Sequence, residues 1–391
     1  MIDVARARAD TPAVKKLAFF YSCGAGLMPR PVLDALHGHL DLEARIGGYA
    51  AEDEAEPAVQ ATYASIARLL NCLAEEVALV ENATVAWRQA FYGLAQDMKP
   101  GDNIVTAIPE YASNFIAFLQ TAKRRGVEIV VAPNDGMGQV DVAALDGLVD
   151  GRTKLIAMTH VPTSGGLVTP AAEVGRIARG RGVPYLLDAC QSAGQLPLDV
   201  EAIGCDFLSA TGRKFLRGPR GTGFLYARKT AMAACEPPML DLLSATWVAA
   251  DRYELHPGAR RYENWEGFVA GKGALGVAVD YALALGLDAI AERNRDLATD
   301  LRERLAAIPG VIVRDAGGNR CAIVTFTHDR FAPDDLVARL ALRNIVIGSS
   351  QPSSTLLDFE SRKLPPLCRA AVHYLNTGEE VARLADAVAE L

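Results

Sequence analysis

The sequence predicts an α/β protein in two parts: a large domain built on a mainly parallel sheet, and a smaller α+β domain. Three observations predict it. Short apolar runs alternate with capped helical segments through the first two thirds of the 391 residues. The last third changes to long stretches of helical spacing around a strand-like run. Half of the residues are hydrophobic, enough for more than one core.

"KLIAMTH" (Lys154 to His160) and "VPYLLDA" (Val183 to Ala189) are apolar runs of strand length. Between them Thr169-Pro170 opens "AAEVGRIAR", with threonine suited to cap a helix and proline to its first turn. A strand–helix–strand unit of this kind argues for parallel pairing. "DFLSA" and "TGFLYA" supply two further strands. Near residues 265–285 a long helical connection leads into the last third. There Asp288 to Ile308 reads as one helix, carrying Ile290, Leu297, Leu301, Leu305 and Ile308 near helical spacing. "CAIVTFTH" is a strand. Thr377 and Glu380 form a capping box before "VARLADAVAEL", where Val381, Leu384, Ala385 and Val388 make one apolar stripe.

Composition narrows the function. A formal charge of −7 is a poor match to a phosphate backbone, so no nucleic-acid partner is expected. The N-terminal "MIDVARARADTPAVKK" is charged and lacks the apolar centre of a signal peptide. No apolar run has the length of a membrane span, so the expectation is a soluble, cytoplasmic protein without a membrane partner. The seven cysteines are scattered and form no CxxC pair, which suits reduced, buried thiols better than disulfides. No metal site is expected.

The chemistry centres on "SATGRKFLRGPRGTGFLY", Ser209 to Tyr226. Lys214 has three readings. A solvated turn lysine is the commonest. A nucleotide phosphate loop needs GxxxxGK[ST] leading into a helix, whereas Gly218, Gly221 and Gly223 lead into a strand. The third is a Schiff-base lysine in a desolvated pocket. Asp188 strengthens the third, because it ends "VPYLL", where a parallel strand presents it at the carboxyl edge of the sheet. An acid placed there needs a cationic partner, and a protonated pyridine nitrogen is one. The alternative for Asp188 is a strand-end cap or a salt bridge.

"DACQSAGQ" and "DFLSATGRKFLRGPRGTGFLY" resemble the pyridoxal-phosphate enzymes of aminotransferase class V. That family includes cysteine desulfurases, isopenicillin N epimerase and hercynylcysteine sulfoxide lyases. The likeness runs from about residue 18 to the C-terminus. It implies fold type I, with residues 18–265 as the large domain and 1–17 with 266–391 as the small one. It also implies pyridoxal 5'-phosphate (PLP) as cofactor and a homodimer. By this resemblance Lys214 carries the cofactor, Thr211 and Arg213 bind its phosphate, Asp188 pairs with the pyridine nitrogen and Gln191 contacts the ring hydroxyl. Many relatives have histidine where Arg213 stands; a guanidinium makes a charged, forked contact with phosphate. "VENATVAW" resembles the family's phosphate turn, with Ala83 and Thr84 at a helix N-terminus; an ordinary helix cap uses the same residue types. "PEYASN" puts Tyr111 where relatives place a histidine over the ring, and a tyrosine stacks but is a weaker proton carrier near neutral pH. "HVPTSG" gives Thr163 in place of asparagine, with His160 read as a structural histidine. "RRYENWEG" resembles the segment that, in family dimers, reaches the neighbouring subunit's phosphate, here through Asn264.

"CRAAVHYLNTGEE" resembles the family's motif around a substrate arginine. Arg369 is then expected to pair with an α-carboxylate, making a small α-amino acid the substrate. The plainer reading is a surface arginine before a strand. Cysteine desulfurases carry a nucleophilic cysteine in the loop before this motif, and Ile345 to Leu367 contains none. The expectation is therefore a carbon–sulfur β-lyase acting on a cysteine conjugate or its sulfoxide without a persulfide cysteine, with Lys214 as general base. The alternatives are an amino-acid epimerase, in which Tyr111 is the candidate second acid, and an aminotransferase. A non-catalytic scaffold would need none of Lys214, Asp188 and Arg369.

Overall fold

Strands bury both faces of a sheet only when helices cover both, and the apolar runs here have that character. The computed structural model describes residues 2–391. Its main sheet has seven strands in the spatial order Val77–Val80, Gly223–Ala227, Phe207–Thr211, Tyr185–Asp188, Thr153–Thr159, Asn103–Ala107 and Glu128–Ala132. Gly223–Ala227 runs antiparallel to both neighbours, and the other pairs are parallel. On one face Tyr63, Ile66 and Leu70 of the helix Gly48–Leu70 pack with Leu187 and Leu208. On the other, Trp87, Phe91 and Phe118 pack with Leu186 and Phe207. Trp87 stacks on Phe91 with centroids 4.6 Å apart, adding geometric preference to the area buried.

The parallel register places functional residues at one edge. Thr159 lies opposite Asp188, and Asp188 opposite Ser209. Thr153–Thr159 and Tyr185–Asp188 therefore end together, Phe207–Thr211 runs two residues past them, and the helix Ala83–Ala95 starts just beyond Val77–Val80.

The smaller sheet has four antiparallel strands in the order Val311–Val313, Ile323–His328, Leu367–Ala371 and Gly348–Ser350. Leu297, Leu301 and Leu305 of the helix Leu287–Ala306 pack against it, with Val381, Leu384 and Val388 of Gly378–Ala389. Thr377 and Glu380 form the expected capping box. No single helix among the described residues is long and apolar enough to cross a membrane.

Two sequence expectations differ from the structure. Thr169 does not cap Ala171–Arg181; Pro170 occupies the N-cap, and the Thr169 hydroxyl donates to the Thr159 carbonyl at 2.8 Å. That bond ties the turn to the sheet edge instead of to the helix. The division into domains also shifts. Ala18–Phe19 pairs with Ile345–Val346, placing the start of the expected large domain on the smaller sheet's side. The helix Val269–Leu285 packs on Arg30–Ile46 and Gly48–Leu70, so a cut at residue 265 parts it from its neighbours.

Candidate active site

A cavity of about 460 Å³ opens at the carboxyl edge of the main sheet. Ala83, Thr84, Tyr111, Thr163, Asp188, Gln191, Arg213 and Lys214 all line it, brought to one place from five separate stretches of chain.

Asp188 is 5% exposed. Its Oδ1 accepts from the Cys190 backbone N–H at 2.8 Å and its Oδ2 from Asn114 Nδ2 at 2.9 Å. Burial raises its proton affinity, while the two donors and the nearby Lys214 charge oppose that rise. Lys214 follows the strand Phe207–Thr211 in a turn closed by the bond from the Arg217 N–H to its carbonyl, 3.0 Å. Gly26 packs against that same carbonyl, leaving no room for a Cβ, and its N–H donates to the Arg213 carbonyl at 2.7 Å. Arg217 anchors the turn from behind. It is buried at a positive φ of 62° and donates to the Leu27 carbonyl, the Tyr374 hydroxyl and the Thr11 hydroxyl.

The phosphate-type elements lie at one end. Asn82 caps Ala83–Ala95 by accepting from the Val85 N–H at 3.0 Å, and Ala83 and Thr84, whose N–H groups have no partner inside the helix, lie on the cavity wall. Arg213 Nη1 donates to Thr211 Oγ1 at 3.1 Å. Thr211 itself is fully buried and absent from the cavity wall, so it braces Arg213. Arg88 and Arg220 also line the cavity, and neither stood out in the sequence. Asn264 lies outside the main cavity; its Nδ2 donates at 3.2 Å to Glu81, which does line it.

The opposite end is built around Thr163. Gln191 Nε2 donates to Thr163 Oγ1 and to the Cys23 carbonyl, each at 3.1 Å. Arg369 Nη1 donates to the Thr163 carbonyl at 3.1 Å and also to its hydroxyl. The Arg369 Nη2 contacts the Tyr21 hydroxyl at 3.3 Å, with the guanidinium over the Tyr21 ring. Arg369 is thus buried inside its strand, not at the surface, and stands one layer behind the cavity wall. His160 follows its strand directly, with its backbone N–H donating to the Asp188 carbonyl, and burial lowers its side-chain pKa to about 4, so it is neutral. Tyr111 is partly exposed at the N-cap of Ala112–Arg125.

The residues fit PLP. Gln191 Oε1 and Arg369 Nε are buried without a hydrogen-bond partner, and Glu81 Oε2 likewise. Asp188 makes no ion pair among the described residues, so this buried carboxylate would suit the pyridine nitrogen of PLP as its cationic partner. A helix N-terminus and Arg213 suit the phosphate, and a buried amine at Lys214 suits the aldehyde.

The model of the family described as Aminotransferase class-V matches residues 18–384, and the chain belongs to that family. It is 30% identical over 397 residues to a probable cysteine desulfurase from Xylella fastidiosa (strain Temecula1), covering 99% of this chain and 95% of that one. The apo structure of a cysteine desulfurase from Thermococcus onnurineus NA1 superposes with a TM-score of 0.93 at 25% identity, covering 100% and 98%. A C-DES mutant solved with glycine covalently linked to its PLP cofactor shares the fold, with a TM-score of 0.87 at 22% identity, covering 98% and 99%. The chain is a PLP-dependent enzyme of fold type I.

These relatives correct the expected reaction. A β-lyase or epimerase working without a persulfide cysteine is overturned, because the curated relatives matching nearly the whole chain are named as cysteine desulfurases. The expectation rested on one loop that carries no thiol. Within the fold, a thiol from a different segment, Cys190, lies on the cavity wall with Lys214 and Asp188. The sequence already held it, two residues after Asp188, but only the turn following that strand shows which way it faces.

Proposed function

We propose that this chain removes sulfur from cysteine as a PLP-dependent desulfurase. The observation that carries the reading is the shared cavity of Lys214, Asp188 and Cys190, in a chain alignable end to end with proteins of that name. Bound PLP supplies an electron sink for charge developing at the α-carbon. Asp188 holds a negative charge against the ring nitrogen. Lys214 Nζ takes the α-proton as general base. Thr163 and Gln191 line the polar end that receives the substrate carboxylate, with the Arg369 guanidinium behind Thr163 supplying positive charge.

Cys190 is the sulfur acceptor in this reading. Its thiolate sulfur bonds to the substrate Sγ while the Cβ–Sγ bond breaks. The electron pair of that bond stays with carbon, which takes a proton to become the methyl of alanine. Cys190 is left as a persulfide, and a thiol reductant releases the sulfur. Burial works against the thiolate, while the Lys214 and Arg213 charges favour it.

Two further parts belong to the proposal. The enzyme acts as a homodimer, supported by the exposed side chains Met239, Leu242, Trp247, Trp265 and Phe268 clustered within residues 239–268. It works in the cytoplasm, where its seven free cysteines stay reduced. The test is to incubate the PLP-loaded protein with cysteine and a reductant and to quantify alanine and sulfide. Cys190→Ser is expected to lower alanine formation about tenfold or more, equivalent to ~1.4 kcal/mol of barrier. Wild type that yields no alanine overturns the reaction; an unimpaired Cys190→Ser overturns the acceptor alone.

A further inference from the structure

Two buried carboxyls lie close together: Asp188 lines the cavity and is used in the proposed reaction, while Glu110 lies behind the wall and is not. Asp188 faces the cofactor site. Glu110 sits below it, 4% exposed, and contacts no cation among the described residues. Asn114 Nδ2 lies between them, 2.9 Å from Glu110 Oε1 and 2.9 Å from Asp188 Oδ2. Each amide hydrogen is therefore committed to a different carboxyl, and this fixes the orientation of the side chain.

We propose that Glu110 and Asn114 are positioning residues that set the charge on Asp188, and through it the charge on the bound cofactor ring. This rests on the PLP assignment and is independent of the desulfurase reading.

The surroundings of Glu110 allow it either protonation state. Its Oε1 accepts from the Tyr111 N–H at 2.8 Å, from Asn114 and from the Thr159 hydroxyl. Its Oε2 meets only the Thr106 hydroxyl, at 3.2 Å, which is able to donate or to accept. Oε2 is thus the atom that carries a proton. The strands beside it, Asn103–Ala107 and Thr153–Thr159, present hydroxyls. The titratable groups facing it are Asp188 and Tyr185 of the strand Tyr185–Asp188, and Lys214 acts on Asp188 from the far side. Burial, reinforced by the Asp188 charge and opposed by the hydrogen bonds, lifts Glu110 to about 7.

The sign of the coupling follows. When Glu110 ionises, Asn114 serves two anions, and a second negative charge stands behind Asp188. Both changes raise the proton affinity of Asp188 and of any cationic acid of the cofactor beside it. Glu110→Gln removes this charge while keeping the acceptors for Tyr111, Asn114 and Thr159, and its amide donates to Thr106.

The experiment follows the visible absorption of the PLP-loaded protein against pH. Glu110→Gln is expected to move the cofactor's spectral midpoint down by about one pH unit. The two titrations are expected to converge at pH values where wild-type Glu110 is already protonated. Thr106→Val, buried outside the cavity and nearly isosteric, leaves Oε2 without a partner for its charge. It is expected to shift the wild-type Glu110 step to higher pH, and it decides the matter if Glu110→Gln fails to fold. Titrations of either folded variant that superpose on wild type, with cofactor bound in full, overturn the proposal. In that event the same spectra show the PLP assignment still standing.

Discussion

Gly26 lies against the carbonyl of Lys214 so closely that a methyl group on its α-carbon would overlap the oxygen. The obstacle is backbone, not the free end of a flexible side chain. The N-terminal segment thus fixes the height of the turn that carries the lysine, and the bond from the Gly26 N–H to the Arg213 carbonyl repeats the constraint one residue earlier.

Gly26→Ala therefore forces that turn to move. The expected cost is about 1–3 kcal/mol of stability, as for other overpacked sites. PLP affinity is expected to fall with it, because Arg213 and Lys214 shift together. Thermal unfolding of the apoprotein and PLP titration by absorbance check the two effects separately.

Arg369→Lys keeps the charge and loses the fork. The Thr163 carbonyl and hydroxyl and the Tyr21 hydroxyl all depend on the guanidinium, and an ammonium does not span them. The KM for cysteine is expected to rise about tenfold to a hundredfold, with kcat changing less, for a loss of one charge-assisted contact. Steady-state kinetics gives both numbers. An unchanged KM would remove the arginine from substrate binding.

Buried groups predict an unusual pH dependence of stability. His160 and His373 are neutral in the fold, with burial lowering them to about 4 and about 3. Their contribution is present above the unfolded value of about 6.5 and is lost as pH falls through the folded values. Glu110 works in the opposite direction. Its folded value of about 7 lies above its unfolded one, so its contribution is full below the unfolded value and is lost as pH rises toward 7. Between pH 7 and about 4.5 it offsets the histidines, by an amount on the order of 3 kcal/mol. Glu110→Gln is expected to make the acid loss of stability steeper. Denaturant melts of the apoprotein at several pH values in that window measure the slope, and identical slopes would contradict the assignment.

Arg217→Lys tests the anchor behind the lysine turn. Three partners lose a donor, and Tyr374 loses a guanidinium from its ring face as well as from its hydroxyl. The expected destabilisation is about 2–4 kcal/mol, because the partners are buried and left unsatisfied. Chemical denaturation measures it.

The strand ends and the residues upon them were legible in the sequence. Lys214 and Asp188 stood out because a lysine in a small-residue turn and an acid closing an apolar strand each pose a local puzzle. The Thr377–Glu380 capping box was legible because capping is local. Glu110 and Asn114 were not legible. They are ordinary polar residues at a helix start, and their meaning comes from Asp188, 74 residues beyond Asn114. Cys190 was read past for a similar reason, since exposure to a cavity is a property of the folded turn. Thr169 shows the reverse error. A residue with good capping chemistry found a better acceptor across the sheet edge.

The three-way clasp of Arg217 has a bearing on biosynthesis. It holds Thr11 and Tyr374, separated from it by 206 and 157 residues on opposite sides along the sequence. Such distant partners meet late, after the intervening chain has left the ribosome. A nascent chain that stops before Tyr374 has the lysine but not the clasp. Vitamin capture should therefore wait until Tyr374 has emerged, and products truncated before it should remain colourless.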